Sequence, residues 1–335
     1  MLATRLFRTA LGLVLLGAFV ACGGGEPEPG FGTVEIEAGA PIVIGVSTML
    51  EGDLASTGQA LRDAATLAGE GVSIAGHDIE FVEADDGCTE EGGAAAAQEL
   101  TEQDGLVAVV GGSCSDAVLG GQPVYERAGI THISQLSTNV ATTDPEDRAP
   151  FPTCLRTAFN DAIQGAEQAD FAEQALGAES VFLVYEAFRY GGASETFRAS
   201  FGGTFSDDVG FDEGAEFTDI ASGIVDANPD IVYFSGFYPT GIPFVQAVRN
   251  AGYAGPILAG DGMYDQELID GLGEVAEQEL YVTLPSPPQQ GPEFEGIADK
   301  VVREIGRPSF LGQLAPTLNA HPDIDPESLT DFLVQ

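Results

Sequence analysis

From residue 41 onward, short apolar runs and longer amphipathic stretches take turns along the chain. "PIVIGVS" (41–47), "IEFVEA" (79–84), "LVAVV" (106–110) and "ITHIS" (130–134) are brief and rich in β-branched residues, and each predicts a strand. Between them, "STGQALRDAATLAGE" (56–70) places Ala60, Leu61, Ala64, Ala65, Leu67 and Ala68 on roughly one side of a helix that opens with a candidate cap. Two further helices are expected over 89–103 and 115–127. Strands and helices alternating in this way favour parallel βαβ units, with helices covering both faces of a sheet. The pattern restarts after "RTAFNDAIQG" (156–165): a helix over 162–176, strands at 181–185, 231–234 and 256–259, and a helix over 240–251. Two α/β lobes in tandem account for it.

The first 40 residues follow different rules. Arg5 and Arg8 precede an apolar run from Ala10 to Ala21 that is too short for a good membrane span. This is the form of a secretory signal, over residues 1–21, and "FVAC" resembles the lipobox of bacterial lipoproteins, so Cys22 is expected to carry the lipid. "GGGEPEPGFG" (23–32) reads as part of a flexible tether over 22–40. Export bears on Cys88, Cys114 and Cys154, because disulfides persist outside the cytoplasm and three cysteines allow one intramolecular bridge.

Charge excludes more than it identifies. The 335 residues carry 53 acidic and 12 basic side chains, a net charge of -41, which repels nucleic acid and anionic membranes. Genome composition favouring Arg over Lys and adaptation to saline surroundings both fit.

Open parallel sheets collect ligands beyond the carboxyl ends of their strands, so the residues following each strand are the candidates. They are "GGSCS" after Val110, "QLSTN" after Ser134, "EAFRYGG" after Tyr185, "SGFYP" after Phe234 and "GDGMYD" after Ala259. The first two offer hydroxyls and backbone N–H groups at helix starts, a seat for a carboxylate. The last offers one acid, Asp261, and the remaining two offer the aromatics Tyr190, Phe237 and Tyr238. Such a set suits a small zwitterion such as a free amino acid. Ser115 and Thr138 read equally well as helix caps, Asp261 as a solvated turn residue, and Tyr190 and Phe237 as packing residues.

From Pro41 to Pro287 the chain resembles the branched-chain amino-acid-binding proteins of ABC transporters, the leucine/isoleucine/valine-binding type of periplasmic binding protein. The resemblance rests on "LEGDLASTGQA" (50–60), "ADDGCTEEGGAAAAQELTEQDGLVAVVGGSCS" (84–115), "RTAFNDAIQG", "YEAFRYGG" (185–192) and "AGDGMYDQE" (259–267). It implies two doubly wound parallel-sheet lobes, 41–160 and 161–282, joined by a hinge, with 283–335 as a return segment that ends earlier than in the relatives. It also implies a disulfide between Cys88 and Cys114, leaving Cys154 as a buried thiol. A bridge closing a loop of that size contributes roughly 3 to 4 kcal/mol. By the same resemblance Ser115, Thr138 and the backbone at Leu136 take a ligand α-carboxylate, Asp261 takes an α-ammonium, and Tyr190 and Phe237 line the second lobe. Thr57, Ser113 and Ser137 stand at or near the side-chain pocket where the type members carry an aromatic, a leucine and an alanine. That pocket is therefore expected to be roomier and more polar than one built for leucine.

The resemblance further implies a monomer, attached to the membrane by lipid only, that passes a small-molecule ligand to an ABC permease without cofactor or catalysis. A sensor domain of the same fold is the neighbouring alternative. A lipid-anchored hydrolase is the alternative of another class. Against it, "GGSCS" lacks the final glycine of the G-x-S-x-G elbow, and His77, His132 and His321 lie scattered without metal-site spacing.

Overall fold

In the computed structural model, residues 34–143, 153–187 and 192–283 are described. Strand β1 (Ile42–Thr48) is followed by α1 (Ala55–Gly69), β2 (Ser73–Ile74), β3 (His77–Asp85) and α2 (Glu90–Thr101). Then come β4 (Leu106–Gly111), α3 (Ser115–Ala128), β5 (Thr131–Ser134) and β6 (Cys154–Arg156). These strands form one sheet in the order β2-β3-β1-β4-β5-β6, parallel except for the β2–β3 pair. β1 sits centrally because "IVIGVST" is apolar on both faces, the mark of a strand covered by helices on either side. α2 and α3 cross closely: a side chain at Gly93 would begin 2.1 Å from the Ala117 carbonyl oxygen, and one at Gly120 1.9 Å from that of Glu90.

The second sheet begins after α4 (Asp161–Gln174) with β7 (Ser180–Glu186), α5 (Gly192–Ser200), β8 (Thr204–Phe211) and α6 (Thr218–Ala227). It continues with β9 (Ile231–Ser235), α7 (Tyr238–Ala251), β10 (Ile257–Ala259), α8 (Gln266–Leu272) and β11 (Leu280–Val282). The order β11-β10-β9-β7-β8 is parallel throughout. Aromatic side chains fill both of its faces. Phe234 stacks on Phe244 at 4.6 Å on one side, and Tyr233 stacks on Phe197 at 4.0 Å on the other. Each such ring, fully buried, contributes on the order of 1.5 to 3 kcal/mol.

Three expectations about local structure are corrected. α5, β8 and α6 were not expected; β8 ("TFSDDVGF") is an edge strand whose polar face is solvated, so it carries no apolar run. Helix α1 begins at Ala55 with Leu54 before it and has no side-chain cap, so Ser56 and Thr57 are released for other bonds. Ser115 is not a cap either: Cys114 occupies that position in α3.

The lobes touch. The apolar cluster of the second lobe continues into Met49, Leu54, Cys88, Cys114 and Ala117 of the first. Along the same seam Tyr238 Oη donates to the Asp53 carbonyl at 2.7 Å and lies 2.9 Å from Ser56 Oγ, while Thr57 Oγ1 donates to Asp265 at 2.6 Å.

Candidate functional site

The rim of the first lobe is a short loop between β4 and α3. It turns at Gly111, whose φ of +134° and whose Cα, facing the Ser47 carbonyl, leave no room for a side chain. β5 then fastens the loop residue by residue. His132 Nε2 donates to the Gly111 carbonyl at 2.9 Å, and Ser134 Oγ donates to that of Gly112 at 2.8 Å. Gln135 Nε2 donates to Ser113 Oγ at 3.1 Å, and Ser113 Oγ lies 3.3 Å from Thr48 Oγ1. Ser115 Oγ accepts from Ser137 Oγ at 3.2 Å and from the Asn139 N–H at 3.1 Å. Burial lowers the His132 pKa to about 4, so the ring is neutral at physiological pH; because Gly111 offers only an acceptor, Nε2 carries the proton. A disulfide joins Cys88 to Cys114 and ties the loop to the start of α2. Cys154 is free and buried beside His132. Asp86 supports the Cys88 turn by accepting from its N–H at 3.0 Å and from Ser47 Oγ at 3.1 Å; burial pushes its carboxyl up to about 6.

The rim of the second lobe is acidic and aromatic. Glu186, at the end of β7, is buried beneath the start of α7, where it accepts from the Phe237 N–H at 3.3 Å and from Thr240 Oγ1. A carboxylate at a helix N-terminus is favoured by the aligned peptide dipoles and fixes where Phe237 emerges. After β10 the chain turns at Asp261, which opens the short 3-10 turn Asp261–Met263 and is half-buried. Asp265 follows as the cap of α8, accepting from the Glu267 N–H at 2.9 Å.

Where the chain passes between lobes, Asn160 caps α4 and Asp161 is its first residue. The Asp161 N–H donates to the Thr138 carbonyl at 2.8 Å, and its carboxylate accepts a hydrogen bond from the Thr138 side chain. Burial raises its pKa to about 6; the Thr138 hydrogen bond lowers it, the nearby Asp261 charge raises it and Arg156 lowers it. Gly192 sits against this carboxylate: a side chain there would begin 2.1 Å from Asp161 Oδ2.

Of the residues expected from sequence, Ser113, Ser115 and Thr138 stand on one rim, with Leu136 half-buried beside them. Phe237 and Asp261 stand on the other. Thr57 is bonded to Asp265 across the mouth, not directed into a side-chain pocket, because the uncapped start of α1 brings it to the opposite lobe. Tyr190, Cys22, the tether as far as residue 33 and the segment 284–335 lie outside the described residues; of the rest of the tether, the Ala40 N–H donates to the Glu37 carbonyl at 2.9 Å. Asp161, Glu186 and Asp265 were not anticipated. The Asn-Asp pair opening "NDAIQG" is the one local signal that could have drawn attention to Asp161, since an acid just after a cap marks a helix start. Among the described residues no group of three or more His, Cys, Asp or Glu could hold a metal ion, and no helix is long and apolar enough to cross a membrane.

Two parallel-sheet lobes meeting over opposed polar rims, one rich in hydroxyls and one in acids, define a two-lobed binding protein for small molecules. The chain belongs to the periplasmic binding protein family, whose model matches residues 41–315. An amino acid binding protein of Pseudomonas aeruginosa is 29% identical over 271 residues, covering 78% of this chain and 71% of its own. The crystal structure of a leucine binding protein from Thermotoga maritima superposes with a TM-score of 0.73 at 26% identity, over 87% of each chain. An ABC transporter solute binding protein from Rhodopseudomonas palustris, in complex with 3,4-dihydroxybenzoic acid, shares the fold at a TM-score of 0.69 and 22% identity, over 81% of this chain and 76% of its own. One fold therefore serves ligands with an ammonium group and ligands without one.

Proposed function

We propose that this protein is an extracytoplasmic, lipid-anchored receptor that captures an amino acid or similar small zwitterion between its lobes and delivers it to an ABC permease. The observation that carries the reading is the opposition of the two rims. Ser115 and the backbone N–H groups around Leu136 and Thr138 would supply donors from one lobe, and Asp261 an acceptor from the other, while the Thr138 hydroxyl itself is engaged by Asp161. A ligand bridging them gains its differential affinity from the closed arrangement, and so shifts the lobes towards it. Phe237, held by Glu186, would cover the apolar part of such a ligand. Arg5, Arg8, the apolar run and "FVAC" support lipid attachment at Cys22.

A thermal-shift screen of the full chain against free amino acids and small carboxylates tests the capture reading. A ligand at 100 times its dissociation constant adds about 2.7 kcal/mol of stability. A shift that disappears in Thr138→Ala and in Asp261→Ala is expected; a cooperative melt insensitive to every compound would reject the reading. Incorporation of labelled palmitate, lost in Cys22→Ala, tests the anchor separately.

A further inference from the structure

The lobes are joined by more than the chain that crosses between them. The first crossing follows β6, an edge strand of the first sheet, and runs into α4. β1 lies three strands in from β6, about 14 Å away at ordinary strand spacing, and β9 lies two strands in from the edge strand β11. Well away from the crossing, then, the loop after β1 meets the residues that follow β9 and β10. Tyr238 Oη donates to the Asp53 carbonyl at 2.7 Å, and Thr57 Oγ1 donates to Asp265 Oδ2 at 2.6 Å. Leu54, from the same loop, is buried in the apolar cluster of the second lobe. Lobes that swing apart about the crossing must break all three contacts. Each hydrogen bond exchanges protein for water when it opens, so its net hold on the closed form is modest.

Charge opposes that hold. From 41 to 160 the basic side chains are Arg62, Arg127, Arg148 and Arg156, and from 161 to 282 they are Arg189, Arg198 and Arg249; acids outnumber them several-fold in both lobes. Arg62 and Arg198 are spent within their own lobes, on Asp63 and on Asp208. The seam itself gathers acids: the charges of Asp265 and Glu267 act on the Tyr238 phenol, and Glu51 and Asp53 are exposed on the facing loop. Like charges repel over a Debye length, about 30 Å in 0.01 M salt and about 3 Å in 1 M salt. Hydrogen bonds and apolar contacts act only where atoms touch. Salt therefore weakens the force that parts the lobes and leaves intact the one that joins them.

We propose that this seam is a latch set by ionic strength: with no ligand bound, screening lets Tyr238 and Thr57 hold the lobes together, and dilution of salt lets repulsion part them. The inference goes beyond the capture reading and does not depend on it. Its consequence for capture is thermodynamic. A ligand that bridges closed lobes binds with an apparent affinity proportional to the fraction already closed, so the latch makes affinity rise with salt whatever the ligand.

Small-angle scattering of the purified, ligand-free full chain, extrapolated to zero protein concentration, tests the latch in potassium chloride at about 0.01 M and about 1 M. The double variant Tyr238→Phe, Thr57→Val nearly keeps both side-chain shapes and removes both donors, so the ratio of closed to open molecules should fall about 5-fold or more. Segments outside the lobes are the same in both chains, so a difference between the chains reports the lobes. The two radii of gyration should agree at low salt, and the wild type should be the smaller at high salt. Thr57→Val alone carries the test should the double variant fail to melt cooperatively. Equal radii at both salts overturn the latch, and a difference of the same size at both overturns its dependence on salt. Loss of helical circular dichroism from the wild type at low salt overturns it as well, because repulsion would then be acting within the lobes. None of these outcomes bears on capture, which the thermal-shift screen decides.

Discussion

The two rims reach fixed geometry by different means. In the first lobe, β5 spends side chains on the carbonyls and hydroxyls of a loop that has few apolar residues of its own, and a disulfide holds the loop's far end. In the second lobe, Phe237 and Asp261 emerge directly from a sheet packed with aromatic rings, and the rim inherits its order from the core beneath. A rim held by discrete polar bonds can lose one contact and deform locally. A rim that rests on a packed core moves when the whole lobe loosens. Breaking a single polar contact in the first should therefore weaken binding beyond its cost in stability, whereas substitutions in the second should read out mainly in stability.

The largest expected effect comes from the packed side. Phe244→Ala removes a fully buried ring that stacks on Phe234, and should cost about 3 to 5 kcal/mol in chemical denaturation. A loss under 1 kcal/mol would show that the second rim does not depend on its core. On the tied side, Cys88→Ser with Cys114→Ser should cost roughly 3 to 4 kcal/mol and lower the melting temperature.

Asp161→Asn is expected to act in the opposite sense on the ligand-free protein. A carboxyl raised from 3.8 to about 6 favours the fold most below pH 4, and that advantage is lost as pH climbs through 6. The variant should thus be more stable than wild type above pH 6.5, by on the order of 1 to 3 kcal/mol, with the difference vanishing below pH 4. Melting curves across pH 3.5 to 7.5 would reveal it, and a pH-independent difference would contradict the assignment. His132→Ala should cost about 1 to 3 kcal/mol by orphaning the Gly111 carbonyl, and should weaken ligand binding beyond what its stability loss explains. The smallest effect is expected at the seam. Thr57→Val breaks a single bond to Asp265, worth about 1 kcal/mol, and should shift the ligand-free radius of gyration by small-angle scattering towards a more open form.

Much of the architecture is legible because β1, β4 and β9 are buried on both faces and so present unbroken apolar runs. The opposite holds for β8, which lies at a sheet edge and exposes Ser206, Asp207 and Asp208 in succession. Ser115, Thr138 and Asp261 could be singled out because each follows a strand directly. Asp161 follows none that the apolar pattern reveals, since β6 is only Cys154–Arg156, and its partners Thr138 and Asp261 belong to other elements. Thr57 meets Asp265 across 208 residues, a pairing set by how the lobes close and invisible to any local pattern.

The bridge between Cys88 and Cys114 bears on biosynthesis. A chain emerging amino end first exposes these two thiols, 26 residues apart, before Cys154 follows. The β1, α1 and β3 segments that bring them together have by then already emerged. Of the cysteines in the described residues, the third therefore arrives after its competitors can be oxidised, and folds in against His132 and Gln122, where burial raises its thiol pKa and suppresses thiolate attack. Order along the chain and burial of the third thiol thus both favour the Cys88–Cys114 pairing over either alternative.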